Sequence, residues 1–317
     1  MAGPNAVRLH VVTGKGGTGK TTVATALALA LAGEGRRVLL CEVEGRQGVA
    51  RLLGIEELPY AEVEVAEGAG GGEVRALAVE PRAALLEYLD VFYRLGRAGR
   101  ALDRVGAVDF IAQIAPGLRD VLLVGKVYEA VRRTEPDGTP TFDAVVLDAP
   151  PTGRITRFLG IGEELAGLAG GGPIAGQAAS VAALLRSPAT AVHVVTLLEE
   201  LPATETVEAI AELEAAGLPV GAVVADRVLA PLPGAGQDAG QDVAGALAAA
   251  GVPAPQVEAL LDQAREHAAR VAAQREQLAA LSALGRPVRE LPALPGAVGV
   301  DLAGLYALAD LLEGGLP

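Results

Sequence analysis

Residues 7–30 read VRLHVVTGKGGTGKTTVATALALA. An apolar run over residues 7–13 breaks at Gly14, and an Ala/Leu-rich helical pattern begins at Thr21. Between them Gly14-Lys15-Gly16-Gly17-Thr18-Gly19-Lys20-Thr21 satisfies G-x-x-x-x-G-K-[ST], with the strand before and the helix after that give this motif its meaning. Glycines let successive backbone N–H groups turn inward around phosphate oxygens, and the helix beginning at Lys20 aims its positive end at the same anion. Lys20 is expected to reach the β- and γ-phosphates, and the Thr21 hydroxyl to ligate Mg²⁺. Thr22 completes the phosphate-facing turn.

The helix over residues 21–32 stops at Gly33 and Gly35 and leads into a second apolar run, 37–43. Near-continuous apolar runs are what parallel strands covered on both faces look like. Further strands are predicted at 74–79, 142–148, 191–196, 220–225 and 287–291. Helices are predicted at 81–95, in two stretches between 105 and 133, in two more between 160 and 186, and at 202–216, 256–284 and 301–312. Residues 229–251, rich in Pro, Gly and Ala with a repeated Ala-Gly-Gln-Asp, read as a surface loop. Alternating strands and helices predict an α/β phosphate-loop NTPase fold: a mostly parallel, doubly wound sheet with helices on both faces. The whole of residues 1–317 reads as a single domain. Segments 81–133 and 160–186, helical without strands, read as a helical subdomain over the switch loops.

Composition narrows the function classes. The 317 residues carry a formal net charge of −13, which argues against a general nucleic-acid or anionic-membrane surface. No apolar run is long and glycine-free enough to span a bilayer, and the chain opens on no secretory leader, so the expected setting is cytoplasmic. Cys41 is the single cysteine, leaving no intrachain disulfide and no thiol pair for zinc or arsenite. His10 and His193 lie inside apolar strands and read as neutral core residues; His267 shares no metal spacing with them.

Two acids end strands. Glu44 follows the second strand and Asp148 ends the 142–148 strand, at the carboxyl edge where α/β sheets bind ligands. An acid at Asp148, with Thr21, is the expected Mg²⁺ holder.

The form K-G-G-x-G-K-T-T resembles the deviant phosphate loop shared by partition and septum-site ATPases, nitrogenase iron protein, arsenite-pump ATPases and tail-anchored-protein targeting ATPases. D-A-P-P-T-G-R from Asp148, V-V-A-D-R ending at Arg227 and the terminal L-P-x-x-P-G segment resemble the arsenite-pump and tail-anchored-targeting branch, in its order and along nearly the whole chain. The resemblance implies an ATP/ADP- and Mg²⁺-dependent dimer, homodimeric or formed with a paralogous ATPase, that opens and closes an interaction surface for a protein client. It implies that Lys15 reaches the partner's nucleotide. It also implies that Glu44 orients the attacking water, and that Asp226 and Arg227, with backbone near Pro295, receive the base.

The departures from that family bear on rate and specificity. Glu44 stands where the family has Asp, and a misplacement of about 1 Å can cost about a hundredfold, so slow hydrolysis is among the expected outcomes. Asp226 stands where the family often has Asn; an ionised carboxylate accepts from the adenine amino group but donates nothing, which leaves guanine open. Met1 is the only methionine, so a Met-rich client groove is absent. An apolar stripe between residues 107 and 131 reads more simply as core. Two alternatives stand beside the ATPase reading. One is a weakly hydrolysing subunit of a paralogous pair. The other is a partition or septum-type switch, which the acidic carboxyl-terminal helix disfavours.

Overall fold

The computed structural model describes residues 7–43, 45–93, 116–159, 173–232, 239–294, 300–313 and 316. The phosphate-loop strand is the centre of the architecture. β1 (Leu9–Gly14) is buried along its whole length and pairs in parallel with β5 (Ala144–Asp148) on one side and β6 (Thr190–Leu197) on the other. Beyond β5 lie β2 (Arg37–Glu42) and β4 (Glu73–Ala78), both parallel; beyond β6 lie β7 (Val220–Val228) and β8 (Val288–Pro292), also parallel. β3 (Val63–Glu67) adds an antiparallel edge. The order in this eight-stranded sheet is β3-β4-β2-β5-β1-β6-β7-β8.

The chain leaves β1 toward β2 and leaves β6 in the opposite direction toward β7. Adjacent strands whose connections diverge open a crevice at their carboxyl ends, the place where α/β sheets bind ligands. Close approach there is enforced by Gly14: a Cβ on it would lie 2.1 Å from the Val195 carbonyl oxygen of β6.

Two apolar layers follow from the period-two alternation of the strands. Val12, Val38, Leu40, Ala144 and Val146 face α1 (Lys20–Gly33), α2 (Gly48–Leu53) and α10 (Leu302–Leu311). Leu39, Cys41, Val145 and Leu147 face α4 (Pro116–Arg132), α5 (152–159), α6 (Pro173–Leu185), α7 (Glu200–Ala215) and the end of α9 (Ala254–Ser282). Every residue of α1 from Val23 to Ala32 is buried, because α10 covers the side of α1 away from the sheet. Alternating Ala and Leu give such a helix small contact surfaces all round, so it lacks a polar stripe. α10 is capped by Asp301, whose carboxylate accepts from the Gly304 N–H at 2.8 Å.

α3 (Pro81–Tyr93) packs on α4 through Ala84, Leu85 and Leu122. The rest of the expected helical segments, 94–115 and 160–172, lies outside the described residues, and so does much of the 107–131 stripe. Its described part, including Leu123, Val127 and Val131, is core against the sheet. Three features differ from the expectations above. Residues 239–249 form a helix, α8 (Ala239–Ala249), packed against α9, where a loop was expected; the Ala-rich run carries helix propensity that the neighbouring Gly and Pro obscured. β3 and α2 were not anticipated. β3 is only partly buried, and α2 is six residues long, too short to show periodicity.

His10 and His193 meet across β1 and β6 with stacked rings, centroids 5.4 Å apart. The Ala222 N–H donates to His193 Nδ1 at 3.2 Å, so His193 Nε2 carries the proton and donates to His10 Nδ1 at 3.1 Å. Burial, with Arg36 nearby, lowers the His10 pKa to about 4, and burial holds His193 well below its usual range. Both are neutral, as the sequence suggested. The folded state therefore resists protons that the unfolded chain takes up below about pH 6.5. Stability contributed by the pair is complete above that pH and is lost as pH falls toward about 4. Chemical denaturation at pH 7 and at pH 5.5 is expected to lose roughly 1 kcal/mol per histidine over that interval. The double variant H10F/H193F should show a shallower loss over the same interval.

Candidate functional site

The loop after β1 is shaped by its glycines. Gly17 and Gly19 have φ of 88° and 91°, a region in which an L side chain costs about 1–2 kcal/mol. The loop then closes on itself. Thr18 Oγ1 donates to the Lys15 carbonyl at 2.9 Å, and Lys20 Nζ donates to the same carbonyl at 3.2 Å. The Lys20 ammonium is thus buried over the loop, where incoming phosphate oxygens would exchange for a carbonyl.

Two other strand ends are tied to this loop. Thr21 Oγ1 donates to Asp148 Oδ2 at 2.7 Å, joining the first turn of α1 to the end of β5. Thr13 Oγ1 donates to the Pro150 carbonyl at 2.7 Å and the Ala149 N–H to the Val12 carbonyl at 2.9 Å, so the Asp-Ala-Pro-Pro-Thr-Gly segment is anchored directly to β1. The donor set at this point is a hydroxyl and a carboxylate. Hard divalent cations take oxygen ligands, and Mg²⁺ commonly binds through one or two protein groups, completing its shell with water and phosphate. The residues fit such an ion, and no cluster of three or more His, Cys, Asp or Glu is present among the described residues to favour a dedicated protein cage.

At the end of β7 the Asp226 carboxylate packs against Gly19. A Cβ on Gly19 would lie 2.2 Å from Asp226 Oδ2. Burial raises the Asp226 pKa, opposed by the Arg227 guanidinium, whose Nε stands 3.4 Å from Oδ2. Arg227 itself has φ of 57° and donates through a terminal guanidinium nitrogen to the Gly17 carbonyl at 2.9 Å. A non-glycine residue held in the left-handed region, with its side chain clamped on the loop, is the kind of local strain that functional sites retain.

Lys15 pairs within its own chain, with Glu205 on α7. Half of the Lys15 side chain remains exposed, and the second carboxylate oxygen of Glu205 is buried with no hydrogen-bond partner. Gly14 to Thr22, Asp148, Asp226 and Arg227 therefore converge at one edge of the sheet. Glu44 and Pro295 lie outside the described residues. Sequence reasoning missed Glu205, which closes the run Glu-Glu-Leu-Pro-Ala-Thr-Glu at 199–205. It also missed Glu42, a carboxylate 2% exposed at the last position of β2. A charge closing an otherwise apolar strand was the available signal there, overshadowed by Glu44.

A glycine-shaped loop, a buried lysine, and a hydroxyl and a carboxylate in contact are chemically suited to a phosphate group with a hard cation. Residues 7–169 match the family described as "Anion-transporting ATPase". The chain is 51% identical over 316 residues to "ATPase BagA" of Mycobacterium tuberculosis, covering 96% of this chain and 92% of that protein. It is 27% identical over 155 residues to "ATPase GET3" of Candida glabrata, covering 47% of this chain and 43% of that one. It is also 27% identical over 167 residues to "Putative arsenical pump-driving ATPase" of Prosthecochloris vibrioformis, covering 50% of this chain and 36% of that one.

The variant G19A introduces both a φ penalty and a clash with Asp226. Nucleotide affinity measured by calorimetry should fall by at least about tenfold, the equivalent of about 1.4 kcal/mol. Unchanged affinity in the variant would contradict the loop geometry described.

Proposed function

This chain belongs to the anion-transporting ATPase family, and on that premise we propose that it is a Mg-ATP-dependent dimeric ATPase that opens and closes an interaction surface for a protein client. The observation that carries the proposal is the Thr21–Asp148 hydrogen bond beside a glycine-shaped loop. It supports a site in which phosphate and a hard cation are received together.

Each residue then has a part. Backbone N–H groups from Gly14, Lys15, Gly16, Gly17, Thr18 and Gly19 cradle the phosphates, and the first turn of α1, through Lys20, Thr21 and Thr22, presents its N–H groups to them. Lys20 leaves the Lys15 carbonyl for the β- and γ-oxygens. Thr21 and Asp148 are the residues that would hold a magnesium ion, which when bound would neutralise charge developing on the transferred phosphoryl group. Glu44 positions the attacking water, with slow turnover expected from its longer side chain. Asp226 and Arg227, with backbone at Pro295, flank the base.

Lys15 exchanges Glu205 for the nucleotide of a second subunit when the dimer closes. Because that ion pair is half exposed, its net worth is under about 1 kcal/mol, so a doubly charged phosphate outcompetes it. The second subunit is another copy of this chain or a paralogous ATPase, and a weakly hydrolysing partner in such a pair is the alternative that Glu44 keeps open. A partition or septum-type role is disfavoured by the net charge of −13 and by an acidic last helix. We further propose a single domain carrying helical insertions at about 81–133 and 160–186, and a cytoplasmic setting. No helix among the described residues is long and apolar enough to cross a membrane.

Two variants separate these parts. K20A should lower ATP affinity and abolish turnover in a phosphate-release assay. K15A should still bind nucleotide, yet fail to form an ATP-dependent dimer in light scattering after size exclusion. Undiminished dimerisation and turnover of K15A would remove the cross-interface role, while undiminished turnover of K20A would remove the phosphate-loop mechanism itself.

A further inference from the structure

Glu42 is a buried carboxylate at this edge to which the proposed function gives no part. It ends β2, is 2% exposed, and shares its register position with Asp148 on the neighbouring parallel strand. Residues two and four positions earlier on both strands, Leu40 and Val38 on β2 with Val146 and Ala144 on β5, belong to the layer that faces α1 and α2. The period-two alternation therefore places Glu42 and Asp148 on that same face, beside the first turn of α1.

The contacts around Glu42 close a ring. Its Oε2 accepts from the Val49 N–H at 3.1 Å. Gly48, the residue before, packs on Thr21: a Cβ there would lie 3.0 Å from Thr21 Cγ2. Thr21 in turn donates to Asp148, the register partner of Glu42. The remaining oxygen, Glu42 Oε1, is buried and has no hydrogen-bond partner among the described residues. A dry carboxylate oxygen is costly to leave unpaired, and this one belongs to the residue that is linked through Val49 and Gly48 to Thr21 and is the register partner of Asp148.

We propose that Glu42 is a second carboxylate of the nucleotide–cation pocket, a positioning residue. Its Oε1 accepts from the water shell of the divalent cation while its Oε2 keeps hold of Val49. Mg²⁺ dehydrates reluctantly and retains waters that need acceptors, and groups in that outer layer typically contribute tenfold to a hundredfold to metal affinity. The arrangement couples the cation to the segment Gly48–Leu53: the same carboxylate touches both. The inference rests on the magnesium–nucleotide reading of the loop, and it concerns a residue to which that reading gives no part.

The test is ADP affinity by calorimetry, in EDTA and in excess Mg²⁺, for the wild-type protein and E42Q. Gln keeps the shape and loses the charge. The expected result is that E42Q binds ADP as the wild type does in EDTA but gains at least tenfold less from Mg²⁺. A merely structural role would lower both affinities together, and that result, or a full magnesium gain in E42Q, overturns the proposal. A second measurement needs no variant. In wild-type protein already saturated with ADP, addition of Mg²⁺ should slow hydrogen exchange of the peptide covering residues 48–53, and unchanged exchange there overturns the coupling. If the wild type itself gains nothing from Mg²⁺, the metal reading of the site fails first, and this inference falls with it.

Discussion

One hydrogen bond, from the Thr21 hydroxyl to the Asp148 carboxylate, joins the two halves of the site. Thr21 is placed by the loop and helix that follow β1, and Asp148 by a strand that arrives in the sheet long after. Their contact requires β1 and β5 to be neighbours with Val12 opposite Asp148, which in turn requires β2 to lie beyond β5. Every other feature of the site is arranged around that junction. The Thr13–Pro150 bond fixes the segment after Asp148 to the same strand, Gly14 allows β6 to approach, and β7 brings Asp226 and Arg227 to the opposite wall.

Charge is handled locally in a chain of strong negative net charge. The two loop lysines are held differently. Lys20 is buried, and its ammonium donates to a backbone carbonyl of the loop itself. Lys15 is half exposed and rests on a carboxylate from a distant helix. The carboxylates at the site are likewise unequal: Asp148 is engaged by a hydroxyl, Asp226 by a guanidinium, and Glu42 by one backbone N–H.

The histidine pair shows a different use of polar groups. Placed between β1 and β6 and fixed in tautomer by a backbone N–H, the two rings fill the core as flat, neutral residues. Their cost is acid sensitivity, since burial denies them the proton that water would grant. His10 lies on the strand that carries the phosphate loop and His193 on its neighbour β6, so loosening there would be felt at the site.

Much of this was legible in order of residues. The strand–glycine loop–helix pattern at residues 7–30 determines a phosphate socket, because only that spacing of glycines, lysine and hydroxyl turns backbone N–H groups inward at a helix start. Apolar runs set the strands, and the acid at the end of one, Asp148, is brought beside Thr21. The pairing of distant residues was decided only by the tertiary structure. Local pattern says nothing about which strands become neighbours, so it could not show that Glu42 stands beside Asp148, that Glu205 holds Lys15, or that Asp226 presses on Gly19. Nor could it show an edge strand as exposed as β3 or a helix as short as α2, whose positions come from packing against the sheet and from the hydrogen bond between Val49 and Glu42. The chain encodes the socket in one continuous stretch; its walls come from residues that only the folded sheet brings together.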